Sequence, residues 1–229
     1  MSDEKSLKYN EPWILQRADP YVYRHTDGSY YFTASVPAYD GIVLRRAGTL
    51  AELSGAEEVM IWKKHESGPM SYHIWAPEIH YLFGKWYIYF AGGEAEDIWK
   101  IRPYVLECSG DDPLTDEWVE LGKMKRAAED EFSFEAFSLD ATVFENKGEY
   151  YYVWAEKVGV GKMISNLYIA KMESGNQLKT VQVLLTTPDY DWERKGFWVN
   201  EGPAVIHHDG KMFLTYSASE TGVDYCVGM

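Results

Sequence analysis

The chain has 229 residues, of which 46% are hydrophobic and 16% are aromatic, so it can bury a sizeable core. Its formal net charge of −14 at pH 7 gives a surface that repels phosphate backbones and anionic lipid, which argues against nucleic acid or a membrane as a partner. The 18 Tyr and 9 Trp favour strands, and the flat apolar face of Trp is also suited to carbohydrate sites.

Four segments share one pattern, which consists of a short strand, a turn with glycine and an aromatic strand. In chain order they are ADPYVYRHTDGSYYFTAS (18–35), WAPEIHYLFGKWYIYFAGG (75–93), LDATVFENKGEYYYVWAEK (139–157) and VNEGPAVIHHDGKMFLTYSAS (199–219). Their turn glycines, Gly28, Gly84, Gly148 and Gly210, recur at intervals of 56, 64 and 62 residues. The pattern predicts a β-hairpin at each recurrence.

Shorter strands are predicted between the hairpins, at GIVLRRA (41–47), RPYVLECS (102–109) and SNLYIAKM (165–172). The best helical candidate, TLAELSGAEE (49–58), is short and interrupted by Gly55. A repeated antiparallel sheet of about four strands predicts an all-β fold of the β-propeller type. The alternative is an all-β sandwich with coincidental hairpins. No linker or low-complexity segment divides the chain, so residues 1–229 are predicted to form a single domain.

Carboxylates recur at the head of the first strand in three of the four repeats. Asp19 and Glu201 lie nine residues before their turn glycines, Asp140 lies eight before, and Trp75 lies nine before. Because the first strands of a propeller line its central channel, these side chains are expected to converge. Two acids can divide general-acid and general-base work, and a third charge can raise the pKa of the acid.

Each of these residues also has a structural interpretation. Asp19 precedes Pro20 and is typical of a turn, Asp140 could cap a backbone amide, and Trp75 is equally suited to stacking on a sugar and to packing within a blade. The six histidines lack the spacing of a zinc site, and the chain has no nucleotide-binding motif. The sequence therefore predicts no metal and no cofactor, with an oligosaccharide as the substrate.

The motifs RADPYVY, WAPEIH, SLDATVF and VNEGPAV, in this order, resemble those of glycoside hydrolase family 43. The resemblance implies a five-bladed propeller that hydrolyses α-L-arabinofuranosides, β-xylosides or arabinans with inversion. It implies that Asp19 is the general base, that Asp140 tunes the pKa and orients the substrate, and that Glu201 is the general acid. An exo-acting α-L-arabinofuranosidase is the expected activity, and a β-xylosidase or an arabinanase is the alternative.

Two other classes remain open from the sequence. A sugar-binding propeller without catalysis would use the same aromatic pocket but would need no acid and base. A related propeller enzyme with retaining fructosyl-transfer chemistry has its aspartate in an Asn-Asp-Pro-Asn context, whereas this chain has Ala18-Asp19-Pro20-Tyr21. The first class stays an alternative, and the second is disfavoured.

Two further expectations concern the ends of the chain and its compartment. The N-terminal MSDEKSLKYNEPW has no apolar stretch, and Cys108 and Cys226 are interpreted as reduced thiols, so a cytoplasmic protein is predicted. The chain stops 19 residues after Gly210, well short of the earlier repeats. About three and a half of five blades are therefore expected, with a second chain or another copy covering the open faces.

Overall fold

The computed structural model describes residues 12–160 and 162–229, which form four antiparallel sheets numbered I to IV in chain order. Sheet I contains β1 (Ala18–Arg24), β2 (Tyr30–Ser35), β3 (Gly41–Ala47) and β4 (Val59–Lys63). Sheet II contains β5 (Tyr72–Leu82), β6 (Lys85–Glu94), β7 (Asp97–Cys108) and β8 (Val119–Lys123). Sheet III contains β9 (Ser138–Asn146), β10 (Glu149–Val160), β11 (Lys162–Ser174), β12 (Gln177–Leu178) and β13 (Val183–Thr186). Sheet IV contains β14 (Asn200–His208), β15 (Lys211–Ala218) and β16 (Cys226–Gly228).

The sheets share one internal order and one centre. Neighbouring strands follow the chain in every sheet, except that β13 pairs with β11 beside β12. The first strand of each sheet contacts the first strand of the next, from β1 to β5, from β5 to β9 and from β9 to β14. This is the arrangement of propeller blades around an axis, so the all-β and propeller predictions are confirmed, and the sandwich alternative is wrong.

The hairpin turns explain why glycine recurs in the sequence pattern. Three of the four hairpins turn through two residues with positive φ, and the second is glycine. These pairs are Phe83-Gly84, Lys147-Gly148 and Asp209-Gly210, with φ of 52° and 75°, 55° and 78°, and 48° and 72°. Such turns match the right-handed twist of the flanking strands. The first hairpin has a longer loop, closed by a hydrogen bond from the His25 N–H to the Ser29 carbonyl of 2.8 Å.

Aromatic residues fill the spaces between adjacent sheets. Between sheets I and II, Trp86 is buried, and its ring lies 4.8 Å from that of Tyr31 and 5.1 Å from that of Tyr81. Between sheets II and III, Tyr89 and Tyr152 meet edge to face at 5.5 Å. Face-to-face packing of this kind explains the high aromatic content, because large flat side chains fill the space between neighbouring sheets.

The remaining elements are minor. The interrupted helical candidate forms a 3₁₀ turn over Ala51–Gly55, and a second 3₁₀ turn spans Asp191–Glu193. In the part of the chain that the structure describes, no helix has the length and apolar character needed to cross a membrane. Cys108 is buried and Cys226 is half-buried, and both are free thiols.

The packing between sheets I and II predicts a large effect of Trp86→Ala. Truncation of this buried indole leaves a cavity that the surrounding rings can fill only in part, so unfolding in urea should require about 3–5 kcal/mol less free energy. The matched control is Val223→Ala, because Val223 is fully exposed and its loss should change the free energy of unfolding by less than about 0.5 kcal/mol. Equal effects of the two substitutions would contradict this assignment of the core.

Candidate active site

The first strand of each sheet contains a β-bulge at the same place. Its pairing with the second strand shifts between Ala18 and Tyr21 in β1, between Trp75 and Glu78 in β5, between Leu139 and Thr142 in β9, and between Glu201 and Ala204 in β14. One residue in each bulge has left-handed backbone geometry: Asp19 (φ 49°), Ala76 (45°), Asp140 (51°) and Gly202 (56°). A bulge re-aims the side chains around it, here toward the shared centre.

The bulges separate the predicted site residues into two neighbouring positions. Asp19 and Asp140 occupy the left-handed position itself. Trp75 and Glu201 lie one residue earlier. Counting back from the turn glycines assigned all four residues to one equivalent position, whereas the structure has two. The longer side chain of Glu201 and the left-handed Gly202 that follows it bring its carboxyl toward the two aspartates.

A serine in the second strand orients Asp19. The Ser35 hydroxyl donates to Asp19 Oδ2 at 2.7 Å and accepts a hydrogen bond from the Ala76 N–H at 2.8 Å. Ser35 is buried, whereas Asp19 is exposed to solvent. One hydroxyl therefore links the bulges of sheets I and II and fixes a carboxylate that water can reach.

Asp140 is tied to sheet IV and lies among other acids. Its Oδ2 accepts a hydrogen bond from the Gly202 N–H at 3.1 Å. Burial raises the pKa of Asp140 well above its usual range, and the charges of Glu201 and Asp19 raise it further. The position of Gly202 suits this contact, because a Cβ there would lie 3.3 Å from Ser217 Oγ on strained backbone.

Glu201 has an environment with opposing effects. Burial raises the pKa of Glu201, and the charge of Asp19 adds to this, whereas a 2.9 Å hydrogen bond from the Tyr225 hydroxyl and the charge of Lys157 lower it. Burial also raises the pKa of Tyr225, so its hydroxyl stays protonated and can donate a hydrogen bond to Glu201. Because the net shift at Glu201 is upward, its carboxyl holds a proton at higher pH than a free glutamic acid does.

Glu78 is a fourth acid at the centre, which the sequence reasoning missed. It lies in the bulge of β5, accepts a 2.8 Å hydrogen bond from His80 Nε2, and has its pKa raised by burial. His80 Nδ1 in turn lies 3.4 Å from the Tyr21 hydroxyl. The signal in the sequence was the pair Glu78-x-His80, which places two polar side chains on one side of a strand whose adjacent residues Pro77 and Ile79 are buried.

Two adjoining cavities meet at the carboxylates. The inner cavity, of about 360 Å³, extends along the first strands and is lined by Asp19, Asp140 and Glu78 among others. The outer cavity, of about 470 Å³, includes Asp19 and Asp140 as well, together with Glu201 and Trp75. Both volumes fall in the range of small-molecule sites. The structure thus brings all four predicted site residues to one place.

Trp75 lies at the junction of core and cavity, so both of its predicted roles have support. The half-buried ring packs on a cluster that contains Leu139 and Ile101, and it also lines the outer cavity. His73 stacks against it at 4.2 Å. His207 and His208, in contrast, are exposed at the end of β14.

The arrangement offers a buried acid with a raised pKa, a carboxylate open to solvent and an aromatic wall around one cavity. Such a set matches the hydrolysis of a glycosidic bond by paired carboxyl groups. Among the residues with described positions, no group of three or more His, Cys, Asp or Glu side chains has the geometry to hold a metal ion.

Fold and site together define a propeller with a carboxylate-lined central pocket, and comparison with known proteins agrees with that class. Residues 9–229 match the family described as glycosyl hydrolases family 43. The chain belongs to this family, so the resemblance found in the four motifs is confirmed.

Three relatives illustrate the similarity. The chain is 49% identical to an extracellular exo-α-(1→5)-L-arabinofuranosidase of Streptomyces chartreusis, over 96% of this chain and 66% of that protein. It is also 49% identical to a protein of the same name from Streptomyces avermitilis, over 98% of this chain and 45% of that protein. The crystal structure of an α-L-arabinofuranosidase from Lactobacillus brevis superposes with a TM-score of 0.85 at 53% identity, covering 95% of this chain and 68% of that one. The chain therefore spans from about half to two thirds of these relatives.

The predicted cytoplasmic location is wrong. Both Streptomyces relatives are named extracellular enzymes, which contradicts the cytoplasmic prediction. The prediction relied on a charged segment at residues 1–13 and on two cysteines far apart in sequence. Two unpaired thiols are compatible with either compartment, since disulfides stabilise some secreted proteins and are absent from others.

The environment of Glu201 predicts the effect of Tyr225→Phe. This substitution removes a hydrogen bond to the charged carboxylate, so the pKa of Glu201 in the folded protein should rise and the proton should be kept to higher pH. Titration of ¹³C-labelled glutamate carboxyls by NMR measures the shift. Tyr81→Phe, at the far end of β5, makes the same chemical change away from the site and serves as the control. A lowered pKa of Glu201 would contradict the assigned contact.

Proposed function

We propose that the protein is an inverting glycoside hydrolase that releases terminal α-L-arabinofuranosyl residues from arabinose-containing oligosaccharides. The observation that carries the proposal is the convergence of Asp19, Asp140 and Glu201 on adjoining cavities of sugar size. The choice of sugar rests on the names of the relatives, which are arabinofuranosidases at about half identity over nearly all of this chain.

Glu201 is proposed as the general acid. Burial raises the pKa of this carboxyl, so it keeps its proton to higher pH than a free glutamic acid and can deliver it to the departing oxygen. The Tyr225 hydroxyl, which donates to Glu201 Oε1, fixes the orientation of the carboxyl and stabilises the carboxylate after the proton has left. The positive charge of Lys157 also stabilises the Glu201 carboxylate.

Asp19 is proposed as the general base. Its exposed carboxylate is oriented by Ser35 and is open to a water molecule. In the proposed step, that water loses a proton to Asp19 while its oxygen bonds to the anomeric carbon. The bond from this carbon to the leaving oxygen breaks at the same time, and the oxygen takes the proton of Glu201. One displacement of this kind inverts the anomeric configuration.

Asp140 is proposed to couple the protonation of the general acid Glu201 to that of the general base Asp19. It lies between sheets III and IV, held by the Gly202 N–H, and its charge interacts with both Glu201 and Asp19. Because like charges so close cannot all ionise easily, the cluster retains protons that isolated carboxyls would lose. Asp140 lines both cavities, so its carboxyl can also accept a hydrogen bond from a sugar hydroxyl.

The two cavities are proposed to divide the substrate. The terminal sugar would occupy the inner cavity, beside Glu78, and the leaving group would extend through the outer cavity, past Glu201 and Trp75. A β-xylosidase or an arabinanase would use the same acids, so chromogenic α-L-arabinofuranoside and β-D-xyloside should be compared directly. The five-bladed ring belongs to this proposal, and its closure by a second chain or another copy stays a prediction.

The roles of the two acids predict strong losses of turnover without loss of fold. Asp19→Asn and Glu201→Gln should each lower kcat on an aryl α-L-arabinofuranoside by at least about 100-fold, with a melting temperature near that of the unsubstituted protein. Asp209→Asn is a matched control, because Asp209 has the same left-handed geometry (φ 48°) at an exposed turn.

The same variants separate an enzyme from a sugar-binding protein. If the protein only binds sugar, the unsubstituted chain turns over no glycoside, and Glu201→Gln changes nothing but affinity. Turnover that survives both substitutions would show that the acids have been assigned wrongly. Unfolding of Asp19→Asn would assign that residue to a structural turn.

A further inference from the structure

A shelf of four aromatic rings borders the outer cavity on the side of sheet II. Its members are Tyr39, His73, Trp75 and Trp99, and we call it the aromatic shelf. His73 lies 4.2 Å from Trp75 and 5.2 Å from Trp99, measured between ring centroids, and both pairs are tilted by less than 40°. Tyr39 meets Trp75 edge to face at 5.9 Å. The rings therefore form one continuous surface that starts inside the cavity and ends outside it.

Trp99 reaches the shelf through an irregularity in the hairpin of β6 and β7. Gly92 pairs with Arg102 and Glu94 pairs with Asp97, so residues 98–101 lie opposite the single residue Gly93. This irregularity leaves Trp99 outside the regular pairing of the two strands. A Cβ at Gly93 would lie 2.8 Å from the Ile98 carbonyl, so the close approach of the two strands depends on glycine there.

The bulged segment is fixed at both ends. The Ala95 N–H donates to the buried Ser71 Oγ at 2.7 Å, and Lys100 pairs with Glu94 at 2.8 Å. Ile101 is fully buried in the cluster on which Trp75 packs. Trp99 nevertheless has 61% of its surface exposed. The fold thus holds a large flat ring in solvent at a set distance from the carboxylates.

The shelf is apolar at neutral pH. Burial lowers the pKa of His73, so its ring is neutral and adds a flat surface to the two indoles, not a charge. The aliphatic faces of sugar rings pack well on such surfaces, and pre-positioned aromatic rings lose little entropy on binding.

We propose that Trp99, with His73 behind it, binds the second sugar of an arabino-oligosaccharide, on the leaving side of the bond that is cleaved. This inference rests on the proposed function. Glu201 and Trp75 both line the outer cavity, and the general acid must face the departing oxygen, so the leaving sugar passes Trp75. From Trp75 the shelf continues to Trp99, with 6.3 Å between the ring centroids.

The test compares two substrates in the purified protein and in Trp99→Ala. The aryl α-L-arabinofuranoside has no second sugar, whereas α-1,5-linked arabinotriose has a second and a third sugar beyond the terminal one. The ratio of kcat/KM for arabinotriose to kcat/KM for the aryl substrate should fall by about tenfold in Trp99→Ala, and Trp99→Phe should restore most of it. Phe83→Ala, in the turn that follows β5, removes an exposed aromatic ring that lines neither cavity and should keep the ratio of the unsubstituted protein.

Binding of arabinotriose to Glu201→Gln, with and without Trp99→Ala, makes the test independent of turnover. If Trp99 binds the second sugar, the double variant should bind arabinotriose about tenfold more weakly than Glu201→Gln alone. If the protein hydrolyses neither substrate but this difference is seen, the proposed function fails and the subsite stands. An active protein whose substrate ratio and arabinotriose affinity do not change in Trp99→Ala overturns the subsite.

Discussion

One residue of left-handed backbone geometry, in the bulge that the first strands of all four sheets share, determines where the central carboxylates lie. At an ordinary strand position, successive side chains alternate between the two faces of a blade, and an acid there would meet the core of a neighbouring sheet. The bulge breaks this alternation. Aspartate is among the few residues that tolerate such geometry, and glycine adopts it freely, which explains why Asp19, Asp140 and Gly202 occupy three of the four positions. Ala76, in the fourth, bears the strain without a polar side chain and donates its N–H to Ser35.

The electrostatics of the centre follow from this placement. Asp19, Asp140, Glu201 and Glu78 come together at the bulges, and the protein supplies few compensating charges there, chiefly Lys157 and the hydrogen bonds of Tyr225, Gly202 and His80. Burial and the repulsion between the carboxylates therefore raise the pKa values of Asp140 and Glu201. Such a cluster destabilises the folded state relative to neutral residues, as is common at functional sites, and the aromatic packing between the sheets offsets it.

Much of the architecture could be predicted from the sequence, because hairpins are local. The turn glycines and aromatic strands gave the four sheets, and GIVLRRA coincides with β3. The register within each first strand could not be predicted, because the few residues on either side of the bulge are too short a run to show where the alternation changes phase. Counting from Gly210 therefore placed Glu201 at the position that Gly202 occupies. Tyr225, Lys157 and Ser35 were missed because their contacts join segments far apart in sequence, and no local pattern marks them.

The central claim is that Asp19 and Glu201 act from opposite sides of one anomeric carbon. The stereochemistry of the first product, followed by ¹H NMR in the first minutes of hydrolysis of an α-L-arabinofuranoside, tests it most directly. A water activated by Asp19 on the face opposite Glu201 gives β-L-arabinofuranose first, and the α anomer appears only later by mutarotation. If the α anomer forms first, the configuration is retained, one of these carboxylates is a nucleophile, and the account of the site is wrong.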